Sequence, residues 1–317
     1  MNAYKEYGGF LQLEFSRGKN YHSDAVYLNS ARNSLKYIVR LYKIKKIAVP
    51  YFTCPVVWTA LKEENCDIIF YDCDSNMNPN LNGIGKNDFI IVNDYFGVRS
   101  EKVNELIDCY QNIIVDNAQA FFSENYGLAG FYSPRKFFGL PDGGVVVTSG
   151  RLDEPLDIDV SYHRCLHLLK RHDLGASLAY ADFCDADKSI DSLPVKYMSR
   201  LTKNLMSGID YELIKQKRRE NYNRIHNRLS GINLLDVALS DNDTPMVYPL
   251  LIENKDIKKK LIAEKLYVAT YWPGLENVCP ADSMAIYLRD YVIPLPVDQR
   301  YSIEDIDAML DIAASAI

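Results

Sequence analysis

VDNAQAFFSENYGLAGFYSPRKFFGLPDGGVVVT, residues 115–148, carries an apolar run into an aspartate and then, twenty positions on, sets a lysine in a loop ahead of a glycine pair. The run is IIVD, so Asp116 stands at the carboxyl end of a short, continuous, β-branched segment of the kind that forms a strand buried on both faces. A carboxylate there needs a partner, because an unpaired buried charge is costly. Lys136 follows FYSPR and precedes Gly143-Gly144, where the next apolar run, GVVVT, begins. An aspartate and a lysine at this separation carry no information alone, since both residue types mostly lie on surfaces. Their setting is what matters.

Outward from this stretch, residues 30–150 alternate between two periods. SARNSLKYIVRLYKI and PVVWTALKEEN repeat apolar residues at three or four, as helices do, and lead into the short strands KIAVP and DIIFYDC. DFIIVNDYF is a further strand, SEKVNELIDCYQN a helix, and IIVDNA another strand. This is the pattern of an α/β domain with a mainly parallel sheet, in which ligands sit beyond the carboxyl ends of strands. The stretches RLDEPLDIDVSYHRCLHLLKRHDLG and FCDADKSIDSLP read as irregular and polar. One long helix is predicted over NLMSGIDYELIKQKRRENYNRIHNRL, in which KQKRREN forms a solvated face. Beyond it VYPLLIE, YVATYW and YVIPLP read as strands, and KDIKKKLIAEKL and SIEDIDAMLDIAASAI as helices. We expect a large α/β domain over residues 1–195 and a smaller α+β domain over 196–317.

Composition limits the partners. The chain has 317 residues, 48% hydrophobic and 25% charged, with a formal net charge of −6. No global basic field attracts nucleic acid or an anionic membrane. No apolar run is long enough to span a membrane, and MNAYKEYGGFLQ lacks the pattern of an export signal. The seven cysteines include no C-x-x-C pair and read as reduced thiols of a cytoplasmic protein. His163, His167 and His172 lie near one another, without the further carboxylate pattern of a metal site.

One chemistry uses a lysine and a carboxylate on different sides of one aromatic ring. In pyridoxal 5'-phosphate (PLP) catalysis a lysine amine forms a Schiff base, while a carboxylate keeps the pyridinium nitrogen protonated so that the ring acts as an electron sink. The amine must be partly unprotonated, a state that burial and neighbouring charge favour.

Asp116-Asn117-Ala118-Gln119-Ala120 matches a D-x-A-Q-A segment, and the run from Phe131 through Lys136 to Pro141-Asp142-Gly143-Gly144 follows a serine-phenylalanine-x-x-x-K-x-x-x-x-G-E-G-G segment. On these residues the sequence resembles the DegT/DnrJ/EryC1/StrS family of PLP-dependent sugar aminotransferases, of the aspartate-aminotransferase fold type I. LNSARNSLKYIV, VPYFTCPVVWTAL, LIAEKLYVATYWP and VIPLPVDQRYSIEDIDAML extend the resemblance over most of the chain in order, more loosely in its C-terminal half. The resemblance implies that Lys136 carries the cofactor, Asp116 partners the pyridinium, and Gln119 lies near the phenolic oxygen. It places the phosphate at the start of the first helix, at Ala31 and Arg32, where free N–H groups and the helix dipole favour an anion.

Several positions depart from the family's pattern. Its phosphate-binding serine falls at Phe131, with Ser133 near enough to substitute. Its ring-stacking aromatic falls at Cys54, with Tyr51, Phe52 or Tyr95 as stand-ins. Its G-E-G-G is Pro141-Asp142-Gly143-Gly144, and its phosphate-loop glycine is Ala31. Ser199 or Arg200, in YMSRLT, is the nearest candidate for the residue that reaches the neighbouring subunit's phosphate. Tyr95 and Arg135 stand on the substrate side.

The implied activity is transfer of an amino group from an amino acid, glutamate by resemblance, to a nucleotide-linked keto sugar. The product serves a surface polysaccharide such as O-antigen or a glycosylated metabolite, and the enzyme is a homodimer. Dehydratases of the family replace the lysine with histidine, so Lys136 points to transamination. Phe131, Cys54 and Asp142 keep open a degenerate relative that binds PLP or a sugar nucleotide without transamination.

Overall fold

The structure, a computed structural model, describes residues 7–317; residues 1–6, at the head of the stretch read for an export signal, lie outside the described residues. Strand Val26–Leu28 (β1) leads to helix Ala31–Leu41 (α1), strand Lys46–Pro50 (β2), helix Pro55–Glu63 (α2) and strands Asp67–Tyr71 (β3) and Phe89–Asn93 (β4). Helix Ser100–Cys109 (α3) and strands Asn112–Asn117 (β5), Ala129–Tyr132 (β6) and Gly144–Thr148 (β7) follow. All seven strands join one sheet in the order β1-β7-β6-β5-β4-β2-β3. Its members from β3 to β6 run parallel, while β7 is antiparallel to β6 and β1 to β7.

The strands read as continuous apolar runs because helices cover both faces. Ile113, Ile114 and Val115 of β5 are all fully buried; Ile114 belongs to the main core, Ile113 and Val115 to a smaller cluster under α3 with Ile90, Val92 and Val103. The chain runs outward from β2 to β3 and returns on the other side of β2 as β4, so the strand order reverses there. A crevice opens at the carboxyl ends of strands on either side of such a reversal. Asn93, the last residue of β4, is in register with Asp116, the last but one of β5, at that crevice.

The second half contains helices Leu166–Leu174 (α4), Ala176–Asp191 (α5), Arg200–Ser207 (α6) and Tyr211–Leu229 (α7), strand Val247–Leu251 (β8) and helix Ile257–Ala263 (α8). Helix Met284–Tyr291 (α9), strand Val292–Pro296 (β9) and helix Ile303–Ala316 (α10) complete it, with β8 and β9 paired antiparallel. A mainly parallel α/β sheet with a smaller α+β part is therefore what the structure shows.

Four expectations are corrected. Residues 166–191 are helical, not irregular: α4 and α5 form a hairpin broken at Gly175, whose φ is +85°. Leu166, Leu169, Leu174 and Leu178 are exposed, so no one-sided stripe announced these helices. The single long helix is two, because Asp210 starts a new one by accepting the Leu213 N–H at 3.0 Å, while Ser199 caps α6 by accepting the Thr202 N–H at 3.1 Å. YVATYW forms no strand; Tyr267 is exposed and Trp272 is buried. In KQKRREN, finally, Arg218 is 1% exposed and does not belong to a solvated face.

Candidate active site

A cavity of about 260 Å³ lies at the carboxyl ends of β4 and β5. Its wall contains Lys136, Asp116, Gln119, Ala31, Arg32, Cys54, Ser133 and Arg135, eight of the ten positions singled out from the sequence.

Asp116 is buried, and its Oδ1 accepts the Ala118 N–H at 2.9 Å. Burial pushes its carboxyl up to about 6; the Lys136 charge and the Ala118 N–H pull the other way without cancelling that effect. Lys136 closes a short 3-10 turn, Pro134–Lys136, which follows β6 directly and is held by its N–H donating to the Ser133 carbonyl at 3.2 Å. Its side chain is exposed where it lines the cavity, so burial of the kind expected from sequence is absent. Burial also pushes the Cys54 thiol up, with the Lys136 charge opposing, which places lysine, thiol and carboxylate in one electrostatic neighbourhood.

Gln119 is oriented by the Phe96 N–H, which donates to its Oε1 at 3.2 Å. That assignment leaves Nε2 as a buried donor without a partner among the described residues. Asn93 shows the complementary case. Its Nδ2 donates to Thr53 Oγ1 at 3.0 Å, and its Oδ1 is a buried acceptor without a partner among the described residues.

The facing wall is the start of α1. Ser30 caps it by accepting the Asn33 N–H at 3.1 Å, and Ala31 and Arg32 occupy the first turn, ahead of any intrahelical acceptor. The glycine pair exists for this wall. Gly143 has φ +131° and donates its N–H to the Asn29 carbonyl at 3.0 Å, and a Cβ on Gly144 would run into the Ser30 carbonyl. The start of α1 is thus locked to the start of β7.

The arginines of the cavity are already engaged. Arg32 Nη2 pairs with Asp191 at 2.7 Å, and its Nη1 donates to the Asp191 carbonyl at 2.6 Å, closing the C-terminal end of α5. Arg135 pairs with Asp187 at 3.0 Å. Both aspartates line the cavity with Ile190 of the same helix.

Two sequence-derived positions fall elsewhere. Ser199 is 2% exposed and serves as the cap of α6, in a buried network where Asp142 accepts from Thr202 Oγ1 and from Arg164 Nη2 at 3.3 Å. Its hydroxyl is therefore committed inside the chain. Tyr95 is buried with its hydroxyl donating to the Phe52 carbonyl at 2.6 Å, Tyr51 stacks on Phe70, and Phe52 is fully buried, so none of the three stand-ins for an aromatic at Cys54 lines the cavity.

Sequence reasoning missed Asn93, Trp272, Asp187 and Asp191. Asn93 shares the level of Asp116 on the neighbouring parallel strand, a signal present in FIIVN. Trp272 lines the cavity with its ring 5.0 Å from that of Phe52, and only the assignment of YVATYW as a strand concealed it. The two aspartates lay in the stretch read as irregular.

Among the described residues, no cluster of three His, Cys, Asp or Glu side chains is placed to hold a metal ion, and no helix is long and apolar enough to cross a membrane. No protein-family model and no curated protein matches the sequence. Solved structures do match. Spr1654 of Streptococcus pneumoniae, provisionally assigned as a sugar aminotransferase, superposes in its PLP form with a TM-score of 0.64 at 14% identity, covering 92% of this chain and 88% of that one. A DegT DnrJ EryC1 StrS aminotransferase from Brucella abortus gives 0.62 at 16% identity, over 92% and 85%. A GDP-4-keto-6-deoxymannose-3-dehydratase, solved with a trapped PLP-glutamate geminal diamine, gives 0.64 at 15% identity, over 91% and 88%. At these identities the likeness is one of architecture, and the chain has the fold that these sugar aminotransferases share with that dehydratase.

Proposed function

We propose that the protein is a PLP-dependent aminotransferase that moves an amino group from an amino acid, glutamate in the first instance, to a keto sugar carried on a nucleotide. The observation that carries this reading is the convergence of Asp116 and Lys136 on one cavity whose facing wall is the start of α1. The residues fit the cofactor on their own chemistry. Gln119 Nε2 is a buried donor lacking an acceptor, Asp116 is a buried carboxylate with no cation in ion-pair contact among the described residues, and the first turn of α1 offers N–H groups to an anion.

When bound, PLP supplies an electron sink for charge developing at the substrate carbon. Lys136 would hold the cofactor through Nζ and, when free, could carry a proton at that atom. Asp116 would keep the ring nitrogen protonated, and Gln119 would donate to the phenolic oxygen. Ala31, Arg32 and Ser133 would hold the phosphate, and Cys54 and Trp272 would wall the ring. Arg135 faces the substrate.

Under the same reading residues 1–195 are the cofactor-binding domain and 196–317 the smaller one; that β8 and β9, among the described residues, pair only with each other supports the division. The protein acts in the cytoplasm as a homodimer, in the supply of amino sugars for a surface polysaccharide such as O-antigen. Exposed Leu169, Leu178, Tyr180 and Phe183 on the α4–α5 hairpin support the dimer.

Absorbance tests the proposal. With added PLP the protein acquires a visible band that glutamate bleaches, and Lys136→Ala acquires none that survives desalting. A wild-type protein that takes up no PLP sinks the enzyme reading. A band that no amino donor bleaches leaves a cofactor-binding protein without transamination.

A further inference from the structure

Arg218, on α7, is buried, yet it faces no carboxylate within ion-pair distance among the described residues. A guanidinium so placed is expensive unless its donors are used. Four of its five N–H groups are used, on main chain and on one amide. Nη1 donates to the carbonyls of Pro245 and Met246, both at 3.1 Å, and Nε donates to Gln299 Oε1 at 3.0 Å. Nη2 donates to the Phe137 carbonyl at 3.4 Å, and the guanidinium lies over the Phe137 ring, 4.6 Å from its centroid. Gln299 Nε2 donates to the same carbonyl at 2.8 Å. The residue after Lys136 is therefore gripped by ring and carbonyl from the C-terminal half of the chain.

A second path leads from the same guanidinium to the floor of the cavity. Met246, whose carbonyl Arg218 holds, donates its N–H to the Phe96 carbonyl at 2.7 Å, and the Phe96 N–H orients Gln119. Phe96 has φ +59°, a left-handed conformation costly for a bulky residue, and these two bonds hold it there.

We propose that Arg218, with Gln299, is a positioning residue of the site: it fixes the backbone beyond Lys136 and the amide of Gln119 relative to each other, and so ties the C-terminal half of the chain to the geometry of the lysine. The inference rests on the reading of Lys136 as the cofactor-bearing lysine. A displacement of about 1 Å at such a group costs as much as ~100-fold in rate.

The test uses Arg218→Lys, which keeps a charge and loses the planar fork, and Gln299→Ala, which leaves Arg218 in place should the first variant fail to fold. The first readout needs no cofactor: the pH profile of Lys136 acylation by a water-soluble amine reagent, followed by peptide mass spectrometry. The second is the split between kcat and the KM for the amino donor. Both variants are expected to displace the acylation profile and to lower kcat by about tenfold or more while KM changes little. Variants that lose thermal stability but keep the wild-type acylation profile and kcat overturn the proposal, because Arg218 then only holds the fold. If the wild-type protein takes up no PLP yet the acylation profile still moves, the positioning role stands and the aminotransferase reading fails.

Discussion

Replacing Asp116 with asparagine is expected to remove a pH-dependent loss of stability from the protein without cofactor while crippling its site. Asp116 is buried with one main-chain hydrogen bond, which asparagine Oδ1 can keep. Its carboxyl sits at about 6 instead of the ordinary 3.8, and at 1.36 kcal/mol per pH unit the difference is worth about 3 kcal/mol. The direction follows from proton linkage. Below about pH 4 the carboxyl is protonated in both the folded and the unfolded chain and contributes nothing. As pH rises, the unfolded chain ionises first and the folded state loses stability, until above about pH 6 the full penalty of a buried charge is in place. Asparagine carries no such penalty. The new Nδ2 is a buried donor whose unmet hydrogen bond costs about 1–3 kcal/mol at every pH, so the test lies in the pH-dependent part: at roughly 2 °C per kcal/mol for a chain of this size, the melting temperature of the variant relative to wild type should rise by about 6 °C between pH 4 and pH 8. Differential scanning fluorimetry of both proteins over that range measures it. Asp94, pushed up to about 7 mainly by burial and next by Asp243, is common to both proteins and cancels in the comparison. A difference that does not vary with pH, or that falls as pH rises, would refute the assignment of Asp116 as a strained carboxylate.

Two further substitutions probe the facing wall. Asp191→Asn removes the half-exposed charge that occupies the largely buried Arg32, so inorganic phosphate or PLP should bind about two- to fivefold tighter in isothermal titration, and the gain should fade in high salt; weaker binding would mean that Asp191 aims Arg32 instead of competing for it. Gly144→Ala drives a Cβ into the Ser30 carbonyl and the Ser34 hydroxyl and should both lower Tm and abolish phosphate binding, whereas Gly139→Ala, which meets only Leu168 at 3.6 Å, should change neither.

The sheet was legible because parallel strands buried on both faces leave a local record. KIAVP, DIIFY and IIVDN are runs too short for a helix and too apolar for a surface loop, and each is a strand. β1 and β6 escaped notice, being three and four residues long. Helix α1 showed its buried Leu35, Ile38 and Val39 at helical spacing, whereas the α4–α5 hairpin turns its leucines outward and so lacks a burial stripe. The same contrast runs through the site. Lys136 and Asp116 come from one local motif. Trp272, Asp187 and Asp191 arrive from segments more than fifty residues away, and only the three-dimensional path of the chain brings them to the cavity. Arg218 shows the limit of composition: in KQKRREN it is indistinguishable from its solvated neighbours, and its burial is decided by the carbonyls of Phe137, Pro245 and Met246.

The cavity holds two kinds of polar group, and they differ in what a ligand gains by meeting them. At the rim, the Asp187 and Asp191 side chains are more than half exposed while Arg135 and Arg32 are largely buried, so breaking a pair returns the aspartate to water and leaves the arginine for an incoming anion to meet. At the floor, Asp116, Asn93 Oδ1 and Gln119 Nε2 are shut off from water, where an unmet hydrogen bond costs about 1–3 kcal/mol and a lone charge more. A planar ligand that offers a cation to Asp116 and an acceptor to Gln119 relieves those costs directly, whereas an anion reaching the rim must first exchange one partner for another. Affinity should therefore be set at the floor and depend on pH through Asp116, and salt should act mainly at the rim.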